Sequence, residues 1–162
     1  MNTKMQALLG QIEEHISSHG RAVISVMGDP GNARGYPYAY SIGHADKGNP
    51  ELMLTSLGGE TATYLVNAAA KALEERGWTA DPDERIALER VSIRILPADG
   101  FETEAGGARS RAEEKGIEDL RFLQILWPDT EGRFPDEQDY DHDTFPQPIW
   151  QHEQEKARSG IN

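Results

Sequence analysis

The amino-acid sequence predicts an α+β domain, in which a mainly antiparallel sheet of about five or six strands packs with two or three helices. Three features point there. Two stretches repeat apolar residues at three- and four-residue spacing, and short β-branched runs are punctuated by Gly, Pro, Asn and Asp. The first of these runs are also joined by loops too short for a helical crossover, so they pair most simply as an antiparallel meander. A chain of 162 residues suits one domain, expected over residues 1–150 with a polar, fraying tail over 151–162. Only 37% of the residues are apolar, so the core has to be concentrated in a few patterned segments.

Taken in order, Met5, Leu8, Leu9, Ile12 and Ile16 share one face of a first helix ending near Gly20. Residues 22–27 (AVISVM) are short, apolar and β-branched, which predicts a strand, and residues 28–35 read as a glycine-rich hairpin loop. That loop lacks both the Lys-Ser/Thr of a P-loop and the spacing of a dinucleotide fingerprint. Strands are expected at 38–43 (YAYSIG) and 51–57 (ELMLTSL), and a helix whose stripe is Ala62, Leu65, Val66, Ala69 and Leu73, stopping at Gly77. From Arg85 to Leu96 the alternation changes parity at Glu89-Arg90, which predicts a bulge or tight turn, and Pro97 terminates the run. A short helix is expected around 108–115. Residues 120–127 (LRFLQILW) are apolar nearly throughout, the pattern of a strand covered on both faces, with Gln124 a polar group inside it. Gln147-Pro148-Ile149-Trp150 reads as a docked apolar segment.

Charge and composition exclude several functions. A net charge of −12 opposes direct contact with nucleic-acid phosphates or anionic membranes. The absence of cysteine removes thiolate nucleophiles, disulfides and Cys-based zinc sites. The N-terminus is no signal peptide, and no apolar run approaches the roughly 18–20 residues of a bilayer span, so a cytoplasmic location is expected. Half of the negative excess lies in residues 129–143, where seven acids face Arg133 alone, a net of −6. Asp139, Asp141 and Asp143 imitate the start of an EF-hand loop, but Thr144 and Trp150 stand where Gly and the bidentate Glu are required. A solvated acidic face is therefore expected there, and no metal.

Among polar side chains, His44 follows a strand end and Glu51 opens the next strand. A carboxylate so placed could orient the imidazole as a general base. His15 and His19 are placed on the surface of the first helix, near its C-terminus. No serine stands in a G-x-S-x-G elbow. Gln124 offers a donor and an acceptor, Trp127 a stacking face, and Asp129 a turn-capping carboxylate after Pro128.

Tyr38-Ala39-Tyr40-Ser41-Ile42-Gly43, Pro50-Glu51-Leu52, Gln124 with Trp127-Pro128-Asp129, Gly132-Arg133-Phe134-Pro135 and Gln147-Pro148 resemble, in that order, the landmarks of the bacterial domain-of-unknown-function family DUF 4262. The resemblance spans roughly residues 20–150. It implies a small single-domain bacterial protein, and it supplies no catalytic residues, cofactor or activity. In that pattern an aromatic residue follows the Phe-Pro pair, where this chain carries Asp136.

The leading expectation is a non-catalytic binding module whose pocket is lined by Tyr40, His44, Glu51, Gln124, Trp127 and Asp129. It would take a small-molecule ligand or a protein partner, with a homo-oligomer left open. Two alternatives stand beside it: an enzyme using His44 as base with Glu51 or Asp129, and an interaction protein working through its acidic surface.

Overall fold

The computed structural model describes residues 3–27 and 35–159. Helix α1 (Thr3–His19) leads into an antiparallel meander of β1 (Ala22–Val26), β2 (Tyr38–Ile42) and β3 (Glu51–Thr55). Helix α2 (Gly59–Arg76) follows, then the hairpin β4 (Ile86–Ala87) and β5 (Ser92–Pro97), helix α3 (Gly106–Lys115), β6 (Phe122–Leu126) and helix α4 (Trp150–Ser159). The six strands form one sheet in the order β1-β2-β3-β6-β5-β4. Every neighbouring pair is antiparallel except β3 and β6, which run parallel at its centre. The α+β class and the mostly antiparallel sheet are as the sequence predicts.

The parity change at Glu89-Arg90 is a tight turn: the Leu88 N–H donates to the Val91 carbonyl, and Ile86 pairs with Ile93 beyond it. The apolar run at 120–127 makes the central strand β6, buried at all five positions because helices or loops cover both faces. On one face Ala39, Leu52, Leu54, Ile93, Ile95 and Ile125 meet the stripe of α2 that the sequence marks. On the other, Tyr38, Tyr40, Ile42, Met53 and Phe122 meet Ile12 of α1, Phe101, Ala108 of α3 and Trp150 of α4. Arg111 ties this second layer together through Glu13 of α1 and Asp46 of the 3-10 turn His44–Lys47.

Three details depart from the sequence reading. Leu8, placed on the buried face of α1, is 43% exposed, because the helix seats on Ile12 with Leu9 and Ile16 beside it. The stretch expected to fray is helix α4, anchored by the buried indole of Trp150, whose Nε1–H donates to the Asp99 carbonyl. The expected hairpin loop lies, apart from Gly35, outside the described residues.

The acidic segment packs along the β5 side of the sheet. Asp136 forms a two-pronged ion pair with Arg94 of β5, while Glu137 pairs with Arg85. Phe134 is fully buried with Leu96, Leu126 and Ile149. No helix among the described residues is long and apolar enough to cross a membrane.

Candidate functional site

The six residues expected to share a pocket occupy three separate places. His44 and Glu51 do meet, at the start of β3. The Glu51 carboxylate accepts the Ser41 hydroxyl at 2.7 Å and the backbone N–H groups of Gly43, His44 and Ala45 at 2.9, 3.2 and 3.0 Å. Three successive N–H groups converge because Gly43 adopts φ 131, a conformation that side chains oppose, and a Cβ there would lie 3.0 Å from the Gly20 carbonyl oxygen. Burial raises the carboxyl above its ordinary range, and the Ala45 N–H, the Ser41 hydroxyl and the other two amides oppose the rise. Backbone amides can only donate, so the geometry is built for an anion.

His44 closes over this anion. Its Nε2 accepts from Arg21 Nε–H at 2.9 Å, which demands a lone pair there, and Nδ1 faces the Pro50 carbonyl at 3.2 Å. The imidazole is therefore neutral, with its proton on Nδ1, and the 3.3 Å approach of Nδ1 to Glu51 Oε1 is no ion pair. Burial first, then the Arg21 charge, pushes its pKa down to about 4 against the Pro50 carbonyl. Arg21 also donates to Asn67 and Glu74 of α2, and Trp78 lies 4.8 Å from the imidazole ring. With 4% exposure and both nitrogens engaged, His44 has no lone pair to offer a substrate proton. A polar groove of about 360 Å³ walled by His15, His19 and Asn67 lies on the outer side of Arg21, and His44 does not reach it.

Tyr40 and Gln124 lie deeper in the sheet, on the face that packs against α1, α3 and α4. The Tyr40 hydroxyl accepts the Gly107 N–H at 3.2 Å, and its ring packs edge-on against Phe101 and Phe122. Gln124 uses both ends of its amide: Nε2–H donates to the Pro148 carbonyl and Oε1 accepts the Trp150 N–H, which docks the start of α4. Both side chains are buried in the core.

Trp127 and Asp129 are at the far end of the sheet. Because β3 and β6 are parallel and Glu51 pairs with Phe122, Trp127 lies a strand's length from Glu51, roughly 15 Å. Gln147 holds Trp127 in an imitation of strand pairing, its amide bonding both the N–H and the carbonyl of that residue. The indole Nε1–H donates to the Thr55 carbonyl at 3.1 Å. Asp129 organises the acidic segment, accepting the N–H groups of Glu131, Arg133 and Asp141. Burial pulls its carboxyl upward, but these amides and the Arg133 charge outweigh that and hold it below the usual carboxylate range.

Between the two lies a solvent-open apolar groove of about 290 Å³. Trp127, Pro128 and Asp129 form one side, the first turns of α2 (Thr61, Tyr64, Leu65) another, and Leu57, Val91 and Phe145 complete it. It opens off the carboxyl ends of the two parallel strands, where α/β sheets commonly place ligands. Tyr40, His44, Glu51 and Gln124 are not among its walls. Of the residues singled out in the sequence, Trp127 and Asp129 line this groove; Leu57, Tyr64, Val91 and Phe145, which also line it, are not singled out there. Each of these looks like ordinary core in one dimension, and only their convergence from four segments makes a site.

A family model described as a domain of unknown function, DUF4262, matches residues 15–141. A search of curated proteins and a search of solved structures give no match. Since the matched stretch contains all six strands, together with the His44–Glu51 cluster, Trp127 and Asp129, the chain belongs to the DUF4262 family.

Proposed function

We propose that this protein is a non-catalytic binding module, and that its recognition site is the apolar groove beside Trp127 rather than a pocket around His44. One observation carries the reading: apolar and aromatic side chains from α2, the β4–β5 turn and both sides of the acidic segment converge on a cavity that stays open. Such exposed apolar concavities mark interaction sites more often than decoration. Trp127 and Tyr64 offer ring surface, while their polar atoms are already bonded to the Thr55 carbonyl and the Arg90 N–H. The groove therefore selects apolar bulk. At about 290 Å³ it is near the lower end of small-molecule pockets, a size that suits one aromatic or branched aliphatic group.

Saturation-transfer NMR with small aromatic fragments tests this on the wild type and on Thr61→Phe. Thr61 is exposed at the groove wall, so the new ring fills the cavity without entering the core. Fragments are expected to contact the wild type and to lose that contact in the variant. Equal contact with both proteins would contradict the proposal.

A further inference from the structure

The geometry points to a partner-protein segment of basic character with one apolar anchor as the groove's occupant. This rests on the reading of the groove as the binding site, and adds the chemistry of what enters it. Of the seven acids in residues 129–143, three are matched: Asp129 by Arg133, Asp136 by Arg94 and Glu137 by Arg85. Glu131, Asp139, Asp141 and Asp143 have no lysine or arginine partner among the described residues.

The backbone that carries Glu131 and Asp141 is tied to the groove. Asp129 forms part of its wall, and its oxygens hold the backbone of Glu131 and Asp141. Asp141 in turn accepts the Thr144 N–H on its side chain and the Phe145 N–H on its carbonyl, which binds the acidic turn to a second wall residue. Thr130, also in the wall, is the immediate neighbour of Glu131. Across the groove the Arg90 guanidinium lies over the Tyr64 ring, 5.3 Å from its centre. A segment with lysines or arginines beside its anchor would therefore lie along the acidic turn, directed away from Arg90.

The apolar anchor supplies affinity and the charges supply orientation and association rate. A peptide fits this division better than a small molecule. The cavity holds one side chain, whereas the unmatched acids are spread over residues 131–143, between the wall residues Thr130 and Phe145.

Selection of a random-peptide phage library against the full chain tests the inference, with enriched peptides re-measured by fluorescence anisotropy. Enrichment is expected for an aromatic or branched aliphatic residue flanked by lysine or arginine. Changing the anchor to alanine, filling the groove with Thr61→Phe, or neutralising the rim with Glu131→Gln, Asp139→Asn and Asp143→Asn together should each weaken binding about tenfold or more. The rim variant should also flatten the salt dependence.

Enrichment of acidic or uncharged peptides that Thr61→Phe still blocks would overturn the basic partner and leave the groove reading standing. So would a dimer of this chain that Thr61→Phe abolishes, since the occupant would then be a second copy. Basic peptides that bind Thr61→Phe undiminished would overturn both, because the acidic surface would be acting without the groove. If no peptide is enriched while aromatic fragments still bind, the peptide inference falls alone; if neither binds, both fall.

Discussion

The His44–Glu51 cluster and the Trp127 groove lie at opposite ends of helix α2, whose 18 residues span about 27 Å. Both contain residue types that chemistry favours, and they differ in what those residues have left to give. In the cluster every polar atom faces another: four donors converge on one carboxylate, and both imidazole nitrogens are engaged. In the groove the polar atoms of Trp127 and Asp129 are equally engaged, yet half-buried Leu57, Tyr64, Val91 and Phe145 leave apolar surface open beside them. A satisfied polar network stiffens a fold, whereas unfilled apolar concavity has binding energy still to use. A buried His-carboxylate pair is therefore weaker evidence of a site than an open apolar groove.

The comparison can be broken first at Glu51. Removing that carboxylate by Glu51→Ala strands three backbone amides and a hydroxyl in a buried place. It should lower stability by about 3–5 kcal/mol, measured as a fall in the urea midpoint. A loss below about 1 kcal/mol would mean that the cluster is dispensable and free for another role.

His44 gives the next effect, visible as pH dependence. Its folded pKa of about 4 lies below the ordinary 6.5, so the unfolded chain binds more protons between those values. Stability is then fully present above pH 6.5 and is lost as pH falls toward 4. Between pH 7 and 5 the wild type should lose about 2 kcal/mol more than His44→Gln, read from paired urea titrations. Glu51, whose carboxyl is raised by burial, acts in the opposite sense and is common to both proteins. Parallel pH profiles would show that folding leaves the proton affinity of His44 unchanged, which contradicts the buried, Arg21-bonded imidazole.

A comparable loss is expected at Gln124. Gln124→Leu leaves the Trp150 N–H without its partner and the Pro148 carbonyl with the Thr55 hydroxyl alone, and should cost about 1–3 kcal/mol, with α4 exchanging its amide hydrogens faster than the sheet. Unchanged α4 protection would mean that the Trp150 indole docks the helix alone. The smallest effect belongs to the groove itself. Thr61→Phe should change stability by no more than about 0.5 kcal/mol, since it alters an exposed wall and leaves the core untouched. A large loss would show that the wall is part of the core after all.

The sheet and the first three helices were legible because their signals are local. The alternation after Arg85, the α2 stripe and the parity change at Glu89-Arg90 each report a period that one segment sets by itself. Helix α4 was misread because its stability comes from outside its own sequence. Its polar residues carry no apolar stripe, and it is held through Gln124 and the burial of Trp150. The site was half legible for the same reason. His44 with Glu51 could be paired from nearness in the chain, but that nearness also lets the 43–45 backbone close over the carboxylate. Nothing in one dimension reveals that β3 and β6 run parallel, and that pairing is what puts Trp127 and Asp129 at the opposite end from Glu51.

Two tryptophans report on the two ends separately: Trp78 beside His44, and Trp127 in the groove. Titrating the ¹⁵N-labelled protein with an aromatic ligand, or with a basic peptide selected on it, while following the indole N–H signals tests the central claim most directly. The account predicts that the Trp127 signal moves saturably while Trp78 stays in place. Movement of Trp78 with Trp127 unchanged would put the functional site at the His44–Glu51 cluster and contradict it.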